Sequence, residues 1–316
     1  MSLPTAIASR PTRQPGKRGR QPYSPATPYL FLAPAMLYFA VICYTALGST
    51  IYLSFHKWDI LSISKDFVGL GNYTALLRDS IFLTSVRNTF LFVLYSVGIG
   101  VPLALLLAMG ANALWTPFKL FVRGVFFIPL VCSMVAVGLI WVWLYEPMNG
   151  LINLLLRAVH LPAVNWLTDP KTALFSIVIT NIWKNVGYNM IIFLAGLQGI
   201  PGIYYEAAQI DGANKLQLFR LVTLPLLART LEFVFITSMI GAFQVFTEVF
   251  IMTSRVGQAP GGPIYSTRTI VIHIYETAFT FLKMGRASAA ATLFLFVILA
   301  LSVLQLKLFR RGHIGY

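Results

Sequence analysis

The chain has 316 residues, of which 57% are hydrophobic and only 11% are charged. Soluble domains carry about 25% charged residues, so this composition argues against a soluble enzyme or binding module and favours a membrane protein. The formal net charge of +14 is typical of some nucleic-acid-binding proteins, but no basic and aromatic RNA-binding motif is present. We therefore predict a lipid bilayer, and no nucleic acid, as the partner of this chain.

The first 28 residues form a basic tail. This stretch is rich in proline, arginine and lysine and contains no acid, so it cannot build a packed core and is predicted to be disordered. The apolar run that follows, at about residues 29–55, is longer than the apolar core of a cleaved signal peptide. We therefore expect the first helix to remain in the mature protein.

Six apolar runs have the length of a membrane-spanning helix, which is about 20 residues. Together they predict an all-α permease domain over residues 29–309, followed by a short tail at 310–316. The predicted spans are approximately 29–55, 83–109, 121–144, 173–199, 230–253 and 284–309. Six spans place both termini on one side, and that side holds most of the lysines and arginines and few acids. The positive-inside rule then predicts cytoplasmic termini.

Two connections on the opposite side carry partial helical patterns. Residues 150–160 have leucines at helical spacing, and residues 269–281 are apolar but too short to span a bilayer. Both are predicted to be helices that lie at the membrane interface. For the second, a seventh span is the alternative, which is disfavoured because His273 and Glu276 would then lie in hydrocarbon.

The loop between the fourth and fifth spans, residues 200–229, predicts a helix-turn-helix elbow. Pro201 cannot continue the preceding hydrogen-bond ladder. Gly212 can adopt a left-handed conformation at a turn, and a second helix follows from Asn214. Pro225 then breaks or kinks the chain at the membrane.

This elbow resembles the EAA loop of binding-protein-dependent ABC transporter permeases. The residues that carry the resemblance are Glu206, Ala207, Ala208, Gly212, Leu224 and Pro225. In that family the elbow is the coupling helix that docks in a groove of the ATPase subunit. The resemblance therefore implies an ATPase-coupling site, with an ordinary amphipathic loop as the alternative. Its residues would be Glu206, Ala207, Ala208, Asp211, Gly212 and Pro225.

Most of residues 29–300 are similar to the sugar-importing branch of that family, the maltose and glycerol-phosphate type. The similar stretches are 69–73, 88–89, 150–153, 166–167, 196–201, 261–263 and 285–289. The resemblance implies the type I ABC importer fold in the bacterial plasma (inner) membrane. It also implies a second homologous permease, two ABC ATPase subunits and an extracytoplasmic sugar-binding protein as partners.

Two charged residues within the predicted spans are candidates for the substrate path, because ionisable groups in membrane helices are usually functional. Lys184 lies near the middle of the fourth span, and Glu248 lies on the fifth. The polar residues beside them on the same two spans are Asn181, Asn185, Tyr188 and Gln244. Such a set suits a polyhydroxylated ligand. The alternative is that Lys184 and Glu248 pair to hold two helices together and that the asparagines form interhelical hydrogen bonds.

Two other functions compete with an importer subunit. A secondary transporter also uses charges inside the membrane, but it has no need of the elbow. An intramembrane enzyme lacks support, because the histidines form no metal-ligand pair and no serine motif is present. The chain also lacks a phosphate-binding loop, so we expect no cofactor or metal on this non-catalytic subunit and ATP on a partner. A disaccharide, an oligosaccharide and a phosphorylated polyol remain open as substrates.

Overall fold

The computed structural model describes residues 26–62, 64–114, 116–254 and 260–310. Most of the predicted basic tail and the last six residues of the chain lie outside this part. The chain divides into two compact units, with the boundary between Ser49 and Thr50. The first unit holds the larger part of the first helix, and all sites described below belong to the second.

Helices dominate the described part of the chain, with one two-stranded antiparallel ribbon, β1 (His56–Lys57) and β2 (Asp66–Phe67). The helices are, in order, α1 (Thr27–Ser54), α2 (Gly71–Leu77), α3 (Ser80–Asn112), α4 (Thr116–Val131), α5 (Met134–Leu144), α6 (Leu151–Ala158), α7 (Ala173–Gln198), α8 (Ile203–Ile210), α9 (Lys215–Leu226), α10 (Ala228–Phe243), α11 (Thr247–Ser254), α12 (Ile270–Tyr275) and α13 (Met284–Arg310).

Four of these helices are long and apolar enough to cross a membrane: α1, α3, α7 and α13. Two bent pairs, α4 with α5 and α9 with α10, raise the number of candidate spans within the described residues to six. The predicted helical membrane protein is confirmed at this level. The sidedness of the termini stays a prediction.

The third and fifth predicted spans are interrupted, whereas the sequence pattern indicated continuous helices. α4 and α5 meet at a bend of 97°, and Pro129 in the last turn of α4 removes a backbone donor there. In the fifth span, α10 ends at Phe243 and α11 begins only at Thr247. Hydropathy could not reveal either break, because the residues at both are mostly apolar.

α7 lies at the centre of the helix packing. It runs parallel to α3, with Gly100 against Ile182 and the ring of Tyr95 6.1 Å from that of Phe175. It runs antiparallel to α10, where Asn189 contacts Ser238. The fully buried side chains at these seams include Phe92, Ile177, Met190, Phe193, Leu194 and Val234. Burial of such side chains fixes the helices around α7.

Three buried asparagines fasten the irregular connections to the helices. Asn153, in α6, donates to the carbonyls of Pro147 and Val164, and its own oxygen accepts from Val164 and the Trp166 indole. Asn72 likewise donates to two carbonyls near β1, and Asn88 to two carbonyls beyond residue 263. These contacts give a structural role to several stretches that resemble the sugar-importing family.

The return segment, residues 261–283, is largely buried over 267–278, while Ile264, Phe279 and Phe281 are exposed; its predicted position at the membrane interface stays a prediction. The buried side chains of α12 include Ile270, Ile272 and His273, and a π-helical turn at Glu276–Thr280 follows. Ile270 donates its backbone N–H to Thr89 of α3 at 2.9 Å. The segment therefore contributes part of its apolar surface to the core, and no span is found in it among the described residues.

Candidate functional site

The elbow, predicted over residues 200–229, ends at Leu227 in the structure and has the cap geometry of a well-defined turn. Gly212 has a φ of +80° and donates to the carbonyl of Gln209 at 3.0 Å, while Ala213 donates to that of Ala208 at 2.9 Å. This pair of bonds is a Schellman motif, which requires a left-handed residue after the helix. Glycine meets that requirement without strain. Gly212 therefore closes α8 and sets the direction of the chain into α9.

The second half of the elbow is held by a capping box. Asn214 and Gln217 each accept the backbone N–H of the other, at 2.9 and 2.7 Å, which satisfies the free donors at the start of α9. The two helices are joined by the hydroxyls of Tyr205 and Thr223, 3.1 Å apart. The elbow is thus a preformed unit.

The surface of the elbow is apolar and uncovered. No residue of α8 is buried, and Ile210 is 86% exposed. Leu216 and Leu221 are also exposed. Of the predicted coupling residues, Ala208 is half-buried and the others, Glu206, Ala207, Asp211, Gly212 and Pro225, are exposed. Contiguous exposed apolar groups rimmed by polar ones are typical of a protein-docking surface.

A cavity of 260 Å³ lies between the spans on the α7 side of the bundle. Four helices supply its walls: α3, α7, α10 and the first turn of α11. The lining residues are Ser96, Val97, Gly100, Asn181, Ile182, Asn185, Val186, Tyr188, Asn189, Thr237, Ser238, Gly241, Ala242 and Glu248. Hydroxyl and amide groups thus face a cavity that opens to the surface at the exposed residues Tyr188, Thr237 and Gly241.

The polar groups of this cavity are partly paired. Asn181 donates to the Glu248 carboxylate at 3.0 Å, and Asn189 donates to the Ser238 hydroxyl at 3.1 Å. The hydroxyl of Ser96 is buried and has no hydrogen-bond partner in the part of the chain that the structure describes. A buried polar group without a partner is costly, so Ser96 is suited to bind a hydroxyl of a ligand.

The structure brings together four of the six residues predicted for the substrate path. Asn181, Asn185, Tyr188 and Glu248 line the cavity, while Lys184 and Gln244 do not. Gln244 is exposed at the end of α10. The sequence analysis did not select Ser96 and Ser238, because single hydroxyls are common in membrane helices and their sequence pattern carries no signal.

Lys184 and Glu248 do not pair with each other. The Lys184 ammonium donates to the carbonyls of Pro129 and Cys132, at 3.1 and 2.6 Å, whereas Glu248 accepts from Asn181. Within the described residues the ion pair found is that of Arg268 and Glu276. The alternative of a helix-joining Lys184–Glu248 pair therefore has no support in this structure.

The Arg268–Glu276 pair lies in the return segment, outside the candidate spans. Its nitrogen and oxygen are 2.5 Å apart, and the two side chains are only 3% and 6% exposed. Burial raises the pKa of Glu276, and the Arg268 guanidinium opposes this rise. Burial and the charge of Arg268 lower the pKa of nearby His273 to about 4. The segment thus holds a neutral histidine beside a buried ion pair.

Comparison with known proteins places these features in a family. Residues 100–312 match the family described as "Binding-protein-dependent transport system inner membrane component". The chain belongs to this family. The permease is therefore a multi-pass protein of the plasma membrane and a component of a binding-protein-dependent ABC transport system, as predicted.

Two relatives in Bacillus subtilis (strain 168) match nearly the whole permease. The "Probable ABC transporter permease protein YurN" is 37% identical, over 90% of this chain and 96% of the relative. The "Arabinooligosaccharides transport system permease protein AraP" is 34% identical, over 90% and 88%. Both extend the similarity well beyond the elbow.

A bacterial alginate ABC transporter, solved in complex with an alginate pentasaccharide-bound periplasmic protein, has the same fold. A chain of that structure matches with a TM-score of 0.79 and 24% identity, covering 90% of this chain and 94% of that one. The predicted importer-permease fold is thereby confirmed.

Proposed function

We propose that the permease is the membrane-spanning subunit of an ATP-driven importer of an uncharged sugar or sugar-like polyol. An external binding protein delivers the cargo, and partner ATPase subunits bind and hydrolyse ATP. The observation that carries the proposal is the cavity, whose hydroxyls and amides face a chamber inside the membrane domain. The name of the relative AraP supports an oligosaccharide cargo.

The charges around the cavity favour an uncharged cargo over a phosphorylated one. Its charged lining residue is Glu248, a carboxylate that would repel an anion. Lys184 is the nearby base on α7, but backbone carbonyls already occupy its ammonium. Among the described residues that line the cavity there is no cation for an anion to bind, whereas Ser96, Asn185 and Tyr188 can exchange hydrogen bonds with sugar hydroxyls.

Coupling to ATP runs from the elbow to the cavity through α7. We place the elbow in the cytoplasm, where it docks on an ATPase subunit. It ends at Leu227, and α10 then turns by 70° into the membrane. Gly196 of α7 packs so closely there that a β-carbon would lie 2.7 Å from atoms of Leu227 and Thr230. Movement of the elbow therefore pushes on α7, the helix that carries Asn181 and Asn185.

The full importer would work by alternating access. ATP brings two ATPase subunits together, their grooves move the elbows of this permease and its homologous partner, and the pair opens toward the binding protein. ATP hydrolysis then returns the pair to the inward-open state. This chain contributes half of the translocation path and one of the two elbows.

The test is uptake into vesicles that contain the complex purified with its native partners. We expect accumulation of a neutral oligosaccharide that requires ATP and the binding protein, without competition from glycerol phosphate. ATP-driven uptake of an anion would overturn the cargo assignment alone. Uptake driven by a proton gradient without ATP would identify a secondary transporter and overturn the proposal.

A further inference from the structure

We propose that Lys184 is a positioning residue that holds the break in the third span, residues 132–133 between α4 and α5, and does not bind cargo. This inference rests on the proposed function, because the break is argued to shape the transport cavity. Lys184 acts through α5 and α11 on Glu248.

The end of α4 leaves carbonyls without helical partners inside the membrane domain. The last carbonyls of any helix lack an intrahelical donor, and lipid supplies none. The Lys184 ammonium donates to the carbonyls of Pro129, Leu130 and Cys132, at 3.1, 3.5 and 2.6 Å. An ammonium has three N–H donors and no acceptor, and a cation is favoured at a helix C-terminus. One side chain thus supplies donors to the free carbonyls at the break, and these carbonyls in turn stabilise the charge of the ammonium.

Close backbone packing keeps the end of α4 within reach of this lysine. Gly187 lies three residues after Lys184 on the same face of α7. A β-carbon there would collide with the backbone carbonyl of Phe126 in α4. Farther along the same seam, Arg123 donates to the Gln198 side chain at 3.1 Å. Small residues at such crossings let helices approach closely, so α4 is held against α7 at three places.

The break directs α5 to the helix that carries the cavity carboxylate. Gly138 of α5 lies against α11, where an added β-carbon would be 3.0 Å from the side chain of Ile251. α11 carries Glu248, which accepts from Asn181. Asn181 is three residues before Lys184 on α7. The contacts therefore form a closed path, and loss of the Lys184 bonds releases α5 and, with it, Glu248.

Cys132 lies in the break, so modification of its thiol can report on the conformation there. The chain has two cysteines, Cys43 and Cys132, both exposed, so Cys43→Ser leaves one thiol in this subunit. We would measure ATP-driven uptake and the rate at which a water-soluble thiol reagent modifies Cys132 in the assembled complex. The variants are Lys184→Met, which removes the donors, and Lys184→Arg, which retains them.

We expect Lys184→Met to change the modification rate of Cys132 and to lower uptake, each by about tenfold or more, since carbonyls left without a donor in a membrane domain are costly. Lys184→Arg should restore most of both. The matched control is Lys119→Met, at the other end of α4, whose ammonium contacts only Asn112 among the described residues. It should change neither quantity.

Gly187→Ala tests the same contact without altering the lysine, and it carries the test if Lys184→Met fails to assemble. It should push α4 away and change Cys132 modification, whereas Gly98→Ala, which meets open space on α3, should not. Reduced uptake with unchanged Cys132 modification would mean that Lys184 acts on cargo and would overturn the proposal. Wild-type uptake in Lys184→Met would overturn it too. If the parent complex shows no ATP-driven uptake, the proposed function fails, while Cys132 modification still tests the role of Lys184.

Discussion

The elbow and the return segment have similar backbone structures but differ in how far their side chains are buried. Each joins a short helix to a π-helical turn, Leu218–Thr223 in the elbow and Glu276–Thr280 in the return segment. The elbow leaves its apolar residues exposed, whereas the return segment buries even an ion pair. The return segment thus contributes buried side chains to the core of this chain, and the exposure of the elbow supports our proposal that a partner covers it.

The two segments also differ in the hydrogen bonds that stabilise them. The elbow is held by bonds between residues close in sequence, such as Asn214 with Gln217. The return segment is held by bonds to distant helices, such as Ile270 with Thr89. Substitutions in the first should therefore affect docking more than folding, and substitutions in the second should affect folding directly.

The largest effect is expected from Arg268→Met in the return segment. It leaves Glu276 as a buried charge without its partner, which typically costs about 3–5 kcal/mol. We expect a corresponding loss in the free energy of unfolding of the complex, measured by thermal denaturation in detergent. Adding Glu276→Gln should recover much of that loss. Equal stability of Arg268→Met and the parent would show that the pair is not buried in the assembled protein.

A pH dependence should follow from His273. Its folded pKa of about 4 lies below the ordinary value of 6.5, so the unfolded chain binds a proton between these values that the folded chain does not. The contribution of His273 to the free energy of unfolding is fully present above pH 6.5. It is lost as the pH drops toward 4, and the loss amounts to up to about 3 kcal/mol.

The control for this prediction is His273→Gln, which removes the imidazole. The carboxyl groups of Asp79 and Glu276 are present in both proteins, so the difference between the two pH profiles isolates His273. Parallel profiles would contradict the lowered pKa.

A smaller effect on stability is expected at Gly212. Gly212→Ala places a β-carbon at a left-handed position and should cost about 1–2 kcal/mol locally, while Gly212→Asn, which tolerates this conformation better, should cost less. Gly212→Trp should in addition abolish ATPase docking, because its bulk fills a close contact. Co-purification of the ATPase measures docking, and normal recovery with the tryptophan variant would exclude close approach at this glycine.

The smallest effect on folding is expected from Glu206→Gln. The side chain is exposed in the elbow, so the free energy of unfolding should change by less than about 0.5 kcal/mol. ATPase docking should nevertheless weaken if Glu206 pairs with a base of the ATPase, as its exposed carboxylate in the elbow would allow. A loss of stability equal to that of Arg268→Met would remove the contrast between the two segments.

Several features were predictable from sequence because their causes are local. The lengths of the apolar runs indicated the spans, and Pro201 and Gly212 indicated the limits of the first elbow helix. Both depend on backbone chemistry within a few residues. The burial of the return segment was not predictable, because a short apolar run suits an interface or a core equally well.

The cavity residues likewise divide into those that were predictable from sequence and those that were not. The spacing of Asn181, Asn185 and Tyr188 on one helical face identified one wall of the cavity from sequence. Ser96 and Ser238 lie on other helices, and only packing brings them to the same chamber. Their contribution depends on the positions of α3 and α10 relative to α7.

Lys184 separates what the sequence determined from what the tertiary structure decided. A lysine in the middle of an apolar run must have a partner, because lipid solvates neither its charge nor a broken helix, and this much follows from the sequence. The choice among a carboxylate, a cargo and the carbonyls of another helix depends on which groups packing brings within reach. The close backbone approach at Gly187 brings the carbonyls at the end of α4 within reach of Lys184. This contact exists only in the packed structure.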